Sequence, residues 1–408
     1  MKFLWFHLMP YDRLPENFPQ KHRSVWVDPP SSLGDPQRIF ELYNLYLDQL
    51  EYADKMGFDA IGVNEHHQNA YGLMPSPNLM AAALARRTQQ AAICVMGNSL
   101  ALYNPPVRVA EEFAMLDCIS GGRLIAGFPV GTAMDTSLSY GISPSTLRDR
   151  YYEAHELVMR AWNEPDMFHF NGRFSKLRYV NIWPRPLQKP HPPVWIPGGG
   201  SVETWSFCAE NDYVYAALSF GGYIRGKGSM EGFWEELERQ GKPYNPFQGG
   251  FAQIIAVSET DEKAEEEYGA AADYFFNNCL HLYPPFVEPG GYRTLDSVKM
   301  SFHKQVAAFS AGPGSAARVN TWKEMVDGGQ IIAGSPATVR DRLKDCIEGL
   351  RIGNLFLIPH FGNMSHEQTL KNTELLAKEV VPHLRDYWQD YDNPWWPQGY
   401  KERLAANA

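Results

Sequence analysis

The chain has 408 residues, of which 44% are hydrophobic and 21% charged, the balance of a soluble globular protein with ample material for a large core. This composition excludes intrinsic disorder, collagen-like repeats and a coiled-coil rod. The 37 Lys and Arg residues against 47 Asp and Glu residues give a net charge of −10, which argues against a nucleic-acid partner because phosphate neutralisation needs a basic face.

Short apolar runs alternate with amphipathic helical segments along the chain. The first helix is predicted to open at Asp35-Pro36, an N-cap followed by proline at the first helical position, and to stop at Gly57. Eight strands are predicted, at 2–7, 58–63, 92–96, 123–128, 194–197, 213–218, 251–258 and 355–359. Further helices are predicted at 78–88, 107–118, 146–162, 201–210, 230–240, 261–272, from Ser335-Pro336 onward, and at 367–384. Eight strand–helix units favour an α/β fold of the closed (β/α)8 TIM-barrel type, in one domain over 1–408.

Two segments do not fit this repeat, and an aromatic extension follows it. The Pro- and Arg-rich segment 168–191 is predicted to be an inserted loop or hairpin. The segment 274–321 is rich in aromatic residues and carries glycines at 290, 291, 312 and 314, which favours a hinged lid over a purely structural excursion. The extension 385–408 holds too many large aromatic residues for a free tail, so we expect it to pack on the body or on a second subunit.

The cysteine pattern and the absence of long apolar runs indicate a cytoplasmic protein with no membrane partner. The five cysteines are widely spaced and form no CxxC pair, which is unlike a disulfide framework or a structural zinc site. The apolar start of the chain is interrupted by Pro10 and Asp12, so no signal sequence is predicted. No stretch approaches ~18 uncharged apolar residues.

Glu65, His66 and His67 follow directly after the second predicted strand. Catalytic groups of a barrel lie at this end of the strands. Because side chains alternate along an extended chain, at most two of the three share one cavity, which disfavours a metal site. A pair of structural histidines is one alternative, and we favour one histidine as a general base or as a hydrogen-bond donor to a ligand.

A glycine-rich turn, Pro197-Gly198-Gly199-Gly200-Ser201, follows a predicted strand and opens a helix. Glycines let the backbone approach an anion, and a helix N-terminus offers free N–H groups, so the turn predicts a phosphate site, with a plain turn as the alternative. Glu203 stands where a dinucleotide motif has its third glycine. The residues alone therefore predict a barrel that binds a phosphorylated small molecule and leave its reaction open.

At these residues the sequence resembles the bacterial luciferase-like family of flavin-dependent monooxygenases. The resemblance is carried, in the family's order and over nearly the whole chain, by Glu65-His66-His67, by 106–112, by Ser120-Gly121-Gly122-Arg123, by 184–186, by 192–201 and by 334–339. Pro129 and Val130 depart from luciferase, which has a reactive cysteine and a phosphate-binding arginine there. The departures disfavour light emission from an aldehyde and leave oxygenation open.

The resemblance implies a two-component enzyme that uses FMN, as FMNH2, at the carboxyl ends of the barrel strands. It implies insertion of one oxygen atom from dioxygen into a small organic substrate through a flavin hydroperoxide, with a separate flavin reductase and a homodimer or higher homo-oligomer. His66 corresponds to the family's acid/base, with His67 beside it. The implied cofactor-binding residues are Glu65, Asn98, Ser99, Leu100, Val130, Gly131, Tyr151, Gly198, Gly199, Gly200 and Ser201, with a non-proline cis peptide at Ser99–Leu100 or one bond earlier. A deazaflavin-dependent hydride transferase and a non-catalytic flavin-binding protein of the same fold are the alternatives.

Overall fold

The structure, a computed structural model, describes residues 1–304, 321–400 and 402–403. In chain order its strands and helices are β1 (Lys2–Phe6), α1 (Phe18–Lys21), α2 (Pro36–Lys55), β2 (Ala60–Val63), α3 (Pro77–Arg87), β3 (Ala92–Val95), α4 (Val107–Ile119), β4 (Leu124–Gly127), α5 (Pro144–Asn163), β5 (Phe168–Asn171), β6 (Lys176–Val180), β7 (Val194–Gly198), α6 (Val202–Asn211), β8 (Val214–Leu218), α7 (Gly222–Arg239), β9 (Gly249–Val257), α8 (Asp261–Tyr274), α9 (Pro284–Val287), α10 (Leu295–Lys304), α11 (Trp322–Asp327), β10 (Ile331–Gly334), α12 (Pro336–Leu350), β11 (Asn354–Ile358) and α13 (His366–Leu375).

Eight parallel strands close into a barrel, as predicted. Around the barrel the order is β1, β2, β3, β4, β7, β8, β9 and β11, and β11 pairs back onto β1. Trp5 of β1 lies in register with Ile61 of β2 and with Leu357 of β11. Each predicted strand corresponds to one of these eight barrel strands. They could be predicted because a strand that is buried on both faces is a short apolar run in the sequence.

Helix starts follow the local signals in the sequence. The Asp35 side chain caps α2 by accepting a hydrogen bond from the Gln37 backbone N–H, and Pro36 occupies the first turn. Ser335 caps α12 in the same way through the Thr338 N–H, with Pro336 after it. A cap satisfies N–H groups that a helix start otherwise leaves unpaired.

The short helices α1, α9, α10 and α11 were not predicted, and within the repeat β10 and α7 differ from the prediction. β10 was not predicted; it pairs with the second half of β9, beyond the residues of β9 that pair with β8. Its three apolar residues after Gly329 are too short a run to distinguish a strand from a loop. α7 begins at Gly222 rather than at residue 230, although glycine disfavours helix, because Gly226 packs directly under the Phe251 ring.

The segments outside the repeat lie on the barrel. β5 and β6 form a two-stranded antiparallel sheet within the predicted insertion. The C-terminal extension packs at the amino ends of the strands, where the Trp195 indole N–H donates to the Trp395 carbonyl and Trp396 is buried. Gly312 and Gly314, two glycines of the predicted lid, lie outside the described residues. In the part of the chain that the structure describes, no helix is long and apolar enough to cross a membrane.

Candidate cofactor and catalytic site

A cavity of about 210 Å³ opens at the carboxyl ends of the barrel strands. Its floor is apolar, with Phe6, Met96 and Phe356 among the lining side chains. Polar groups converge on it from the segments after β2, β4 and β7 and from the start of α5. An apolar cavity with a few convergent polar groups is the usual form of a small-molecule site.

His66 lines this cavity and is held by a buried carboxylate. Its Nδ1 lies 3.0 Å from Oδ2 of Asp135, and the Trp26 indole is nearly perpendicular to the imidazole, with 4.7 Å between ring centroids. Tyr71 flanks the same ring at 5.1 Å. The imidazole is therefore fixed in orientation before any ligand arrives.

Glu65 and His67 form a separate group of contacts beside those of His66. The Glu65 carboxylate accepts hydrogen bonds from the Ser99 backbone N–H at 2.7 Å and from the Tyr103 hydroxyl at 2.6 Å. Burial and the nearby Glu65 charge raise the pKa of Tyr103 well above its ordinary value, so its hydroxyl remains a donor. His67 is buried 3.2 Å from Glu65 and does not line the cavity, so of the two histidines only His66 faces it.

The glycine-rich turn forms one wall of the cavity. Gly198, Gly199, Gly200 and Ser201 all line it, and Gly200 has φ +96°, a conformation that favours glycine. Ser201 caps α6 by accepting from the Thr204 N–H. The turn thus places backbone and a helix start where an anionic group of a ligand can approach without meeting a side chain.

Arg148 of α5 completes this wall. Its Nη2 donates to the Ser201 hydroxyl at 3.0 Å and lies 3.7 Å from the Glu203 carboxylate. Nε and Nη1 of the same guanidinium are buried and have no hydrogen-bond partner among the described residues. Unpaired buried N–H groups of a cation are costly unless a ligand satisfies them, and an anionic ligand group with several oxygens can do so.

Segment 288–297 covers this wall of the cavity. The Tyr292 hydroxyl donates to the Gly131 carbonyl at 2.6 Å, and Ser297 accepts from the Val202 N–H and donates to Glu203. Although burial opposes ionisation, hydrogen bonds from Ser297 and Thr294 keep the pKa of Glu203 below its ordinary value. Residues 288–297 of the predicted lid therefore cover the cavity and are held there by polar contacts.

The structure brings most of the predicted site residues together. Those that line the cavity are Glu65, His66, Ser99, Val130, Gly131, Gly198, Gly199, Gly200 and Ser201. Asn98 and Leu100 are buried beside it without lining it, since Asn98 bonds to Asn78 and Leu100 begins a helical turn. Tyr151 is also buried away from it, because its hydroxyl donates to the Phe128 carbonyl at 2.7 Å. The non-proline cis peptide lies at Met96–Gly97, two bonds before the expected range.

Several cavity residues were not predicted, and three of them, Asp135, Arg148 and Asn64, carry buried polar groups that bear on the function of the site. Asp135 is in a Thr132-x-x-Asp135 turn, a spacing typical of a helix cap, which signals the turn but not the contact with His66. Arg148 follows Leu147, a buried residue of α5, and no local sequence pattern indicates that its side chain lines the cavity. Asn64 is buried at the end of β2, and its Oδ1 has no hydrogen-bond partner in the residues the structure describes.

Comparison with known proteins gives a match to one family. The profile described as luciferase-like monooxygenase matches residues 26–352. Limonene 1,2-monooxygenase of Rhodococcus erythropolis is 24% identical over 346 residues, 83% of this chain and 80% of that protein. The oxygenase component of the flavin-dependent trigonelline monooxygenase of Acinetobacter baylyi is 30% identical over 169 residues, 40% of this chain and 45% of that protein.

Two solved structures share the fold. The oxygenating constituent of 3,6-diketocamphane monooxygenase from Pseudomonas putida, in complex with FMN, superposes with a TM-score of 0.69 at 17% identity, covering 94% of this chain and 99% of that one. An F420-dependent secondary alcohol dehydrogenase superposes with a TM-score of 0.61 at 17% identity, covering 94% of this chain and 99% of that one. At such identities the likeness shows the fold alone.

Proposed function

Because the chain belongs to the luciferase-like monooxygenase family, we propose that it is the oxygenase of a two-component system that uses reduced FMN and dioxygen to oxygenate a small organic substrate. The family is one of flavin-dependent monooxygenases, and the chain is an enzyme of that class. One observation carries the FMN proposal. The same cavity is lined by the Gly198–Ser201 turn with Arg148, whose Nε and Nη1 have no hydrogen-bond partner among the described residues, and by the fixed imidazole of His66.

In this proposal Gly199, Gly200, Ser201 and Arg148 hold the flavin phosphate. The apolar floor accepts the ring system, and the segment carrying Tyr292 keeps water from the reacting centre. Reduced flavin, when bound, would supply the two electrons that activate dioxygen, and dioxygen would supply the transferred oxygen atom. His66 transfers protons to or from the reacting groups, because its imidazole lines the cavity and is held in one orientation by Asp135.

The deazaflavin alternative rests on the F420-dependent relatives of the same fold. One of them, F420-dependent glucose-6-phosphate dehydrogenase of Kineococcus radiotolerans, is 29% identical over 186 residues. A deazaflavin cofactor also carries a phosphate, so the wall by itself does not select between the two. The partner reductase is proposed because the trigonelline relative is an oxygenase component. The homodimer and the cytoplasmic location stay predictions.

The test is an anaerobic titration of the chain with reduced FMN, reduced riboflavin and reduced F420. Charge-assisted hydrogen bonds are worth ~1.5–3 kcal/mol, so we expect FMN to bind roughly 10–100-fold more tightly than riboflavin. The complex is then mixed with oxygenated buffer, and flavin absorbance and hydrogen peroxide are followed. We expect bound FMNH2 to reoxidise with kinetics different from those of free FMNH2.

Two results would overturn the proposal. Tight binding of F420 with no binding of FMN selects the hydride-transfer alternative. Reoxidation of bound FMNH2 at the free-solution rate, with and without candidate substrates, indicates that the protein does not control the reaction with dioxygen.

A further inference from the structure

Asp135 carries a buried carboxylate that touches four hydrogen-bonding groups. Oδ1 accepts from the Trp26 indole N–H at 3.0 Å and from the His67 backbone N–H at 2.7 Å. Oδ2 lies 2.9 Å from the Thr132 hydroxyl and 3.0 Å from Nδ1 of His66. The residue is 2% exposed, so water does not compete for these positions.

The chemistry of these groups fixes where the protons are. An indole N–H and a backbone N–H can only donate, so Oδ1 accepts twice. The Thr132 hydroxyl accepts from the Asp135 backbone N–H at 3.2 Å, which leaves its own proton for Oδ2. Asp135 accepts at three of its four contacts, and as a carboxylate it has no proton to give at the fourth, so Nδ1 of His66 supplies the proton there.

The protonation of Nε2 of His66 follows from the position of the proton on Nδ1. A neutral imidazole has one N–H, so a proton on Nδ1 leaves Nε2 as an acceptor. The ring lines the cavity, and within the described residues Nε2 has no hydrogen-bond partner. The contacts of Trp26 and Tyr71 with the ring prevent it from turning to exchange the two nitrogens.

We propose that Asp135 is a positioning residue that holds His66 as the tautomer protonated at Nδ1, so that His66 acts first as a base through Nε2. In the step it serves, a proton leaves an acidic group in the cavity and bonds to Nε2, and the resulting imidazolium is stabilised by the Asp135 carboxylate. The identity of that acidic group rests on the proposed function, whereas the tautomer does not.

Asp135→Asn inverts this arrangement. The two obligate donors at Oδ1 require the amide oxygen of the new side chain there, which places its NH2 group against His66. An NH2 group can only donate, so Nδ1 of His66 becomes the acceptor and its proton moves to Nε2. The variant is expected to present an N–H to the cavity where the native protein presents a lone pair.

The experiment measures the tautomer directly in the full chain without cofactor. Histidine labelled with 15N is incorporated, long-range 1H–15N correlations are recorded, and His66→Gln assigns the His66 signals. We expect the native protein to show a protonated Nδ1 and Asp135→Asn a protonated Nε2. Asp166→Asn, a matched change at an exposed position, should leave the His66 signals unchanged.

A native His66 protonated at Nε2 overturns the proposal without recourse to any variant, so it stays testable if Asp135→Asn does not fold. An unchanged tautomer in a folded Asp135→Asn protein overturns it as well. If the native protein does not bind FMN, the proposed function is contradicted, whereas the result on the tautomer is unaffected. With a substrate in hand, Asp135→Asn should lower kcat by ~10²–10⁴-fold, the range for a general base, with little change in FMN affinity.

Discussion

At the scale of single residues, the proposed function gives Arg148 a role in cofactor binding and His66 a role in proton transfer. Arg148 lies beside the Gly198–Ser201 turn, and two of its buried guanidinium nitrogens have no hydrogen-bond partner among the described residues. His66 lies after β2 with one nitrogen held and the other open to the cavity. Substitution of one should therefore affect affinity, and substitution of the other should affect rate.

Arg148→Gln is predicted to weaken FMN binding by roughly 10–100-fold, because charge-assisted hydrogen bonds to the phosphate, worth ~1.5–3 kcal/mol, are lost. Riboflavin lacks the phosphate, so its affinity should not change. Fluorescence titration with both ligands measures the difference. Arg150→Gln is the matched control, since the Arg150 guanidinium lies over the Phe174 ring and does not line the cavity. An equal loss for both ligands would contradict the phosphate contact.

His66→Ala is predicted to lower turnover by ~10²–10⁴-fold while FMN affinity stays near that of the native protein. The cause is loss of the proton acceptor in the cavity. Steady-state oxygen consumption with substrate, beside a flavin titration, separates the two quantities. His169→Ala, at an exposed position of β5, is the control. Native turnover in His66→Ala would rule out His66 as the acid/base.

At the scale of elements, Arg123 joins β4 to the neighbouring strand–helix unit at the amino end of the barrel. Its buried guanidinium donates to the carbonyls of Ala85, Thr88 and Ala91, to that of Ser120 and to the Thr88 hydroxyl, at 2.9–3.0 Å. Burial lowers the pKa of Arg123 from its ordinary value. This end of a barrel serves stability, and the sequence analysis placed no site there.

Arg123→Met is predicted to destabilise the fold by at least about 3 kcal/mol, because several buried acceptors lose their donor at once. Urea unfolding followed by tryptophan fluorescence should show the lower midpoint. Arg86→Met, at an exposed position of α3, should leave the midpoint nearly unchanged. FMN affinity of the folded Arg123→Met protein should match the native value, and a selective loss of FMN binding would speak against a purely structural role.

At the scale of the whole molecule, buried neutral histidines make the fold sensitive to acid. Burial lowers the pKa of His7 to about 3 and that of His155 to about 4, and it also lowers the pKa of His360. The rings of His7 and His360 lie in contact at the carboxyl ends of β1 and β11, tilted by 41° with 4.8 Å between ring centroids. These histidines stay neutral in the folded protein at pH values where the unfolded chain takes up protons.

Stability is therefore predicted to fall as the pH drops below about 6.5, the ordinary histidine pKa, toward the folded values. Between these limits the unfolded state binds more protons, and each buried histidine costs about 1.4 kcal/mol per pH unit. Urea midpoints at pH 7 and pH 5 measure the loss. His7→Gln should reduce the dependence on pH, and His169→Gln should not. Equal midpoints at the two pH values would contradict the prediction.

Local patterns were enough to predict the frame of the molecule. The eight barrel strands could be predicted because each is a short, doubly buried apolar run, and the starts of α2 and α12 because a cap and a proline act within one turn. The turn Gly198–Ser201 was predictable for the same reason, since its backbone freedom depends on its own glycines. The strand β10 and the start of α7 could not be predicted, because pairing with β9 and packing against Phe251 decide them.

The composition of the cavity was determined only when distant segments came together. Asp135 meets His66 across 69 positions of the chain, and Arg148 meets Ser201 across 53. No spacing rule spans such separations, because the closed sheet, rather than the chain between them, brings the ends of β2, β4 and β7 to one place. The sequence by itself determined the barrel, the glycine turn and the histidine at the end of β2. The tertiary structure decided that His66 rather than His67 faces the cavity, that Asp135 holds it and that Arg148 lies beside the glycine turn. These features depend on contacts that form only when the barrel closes.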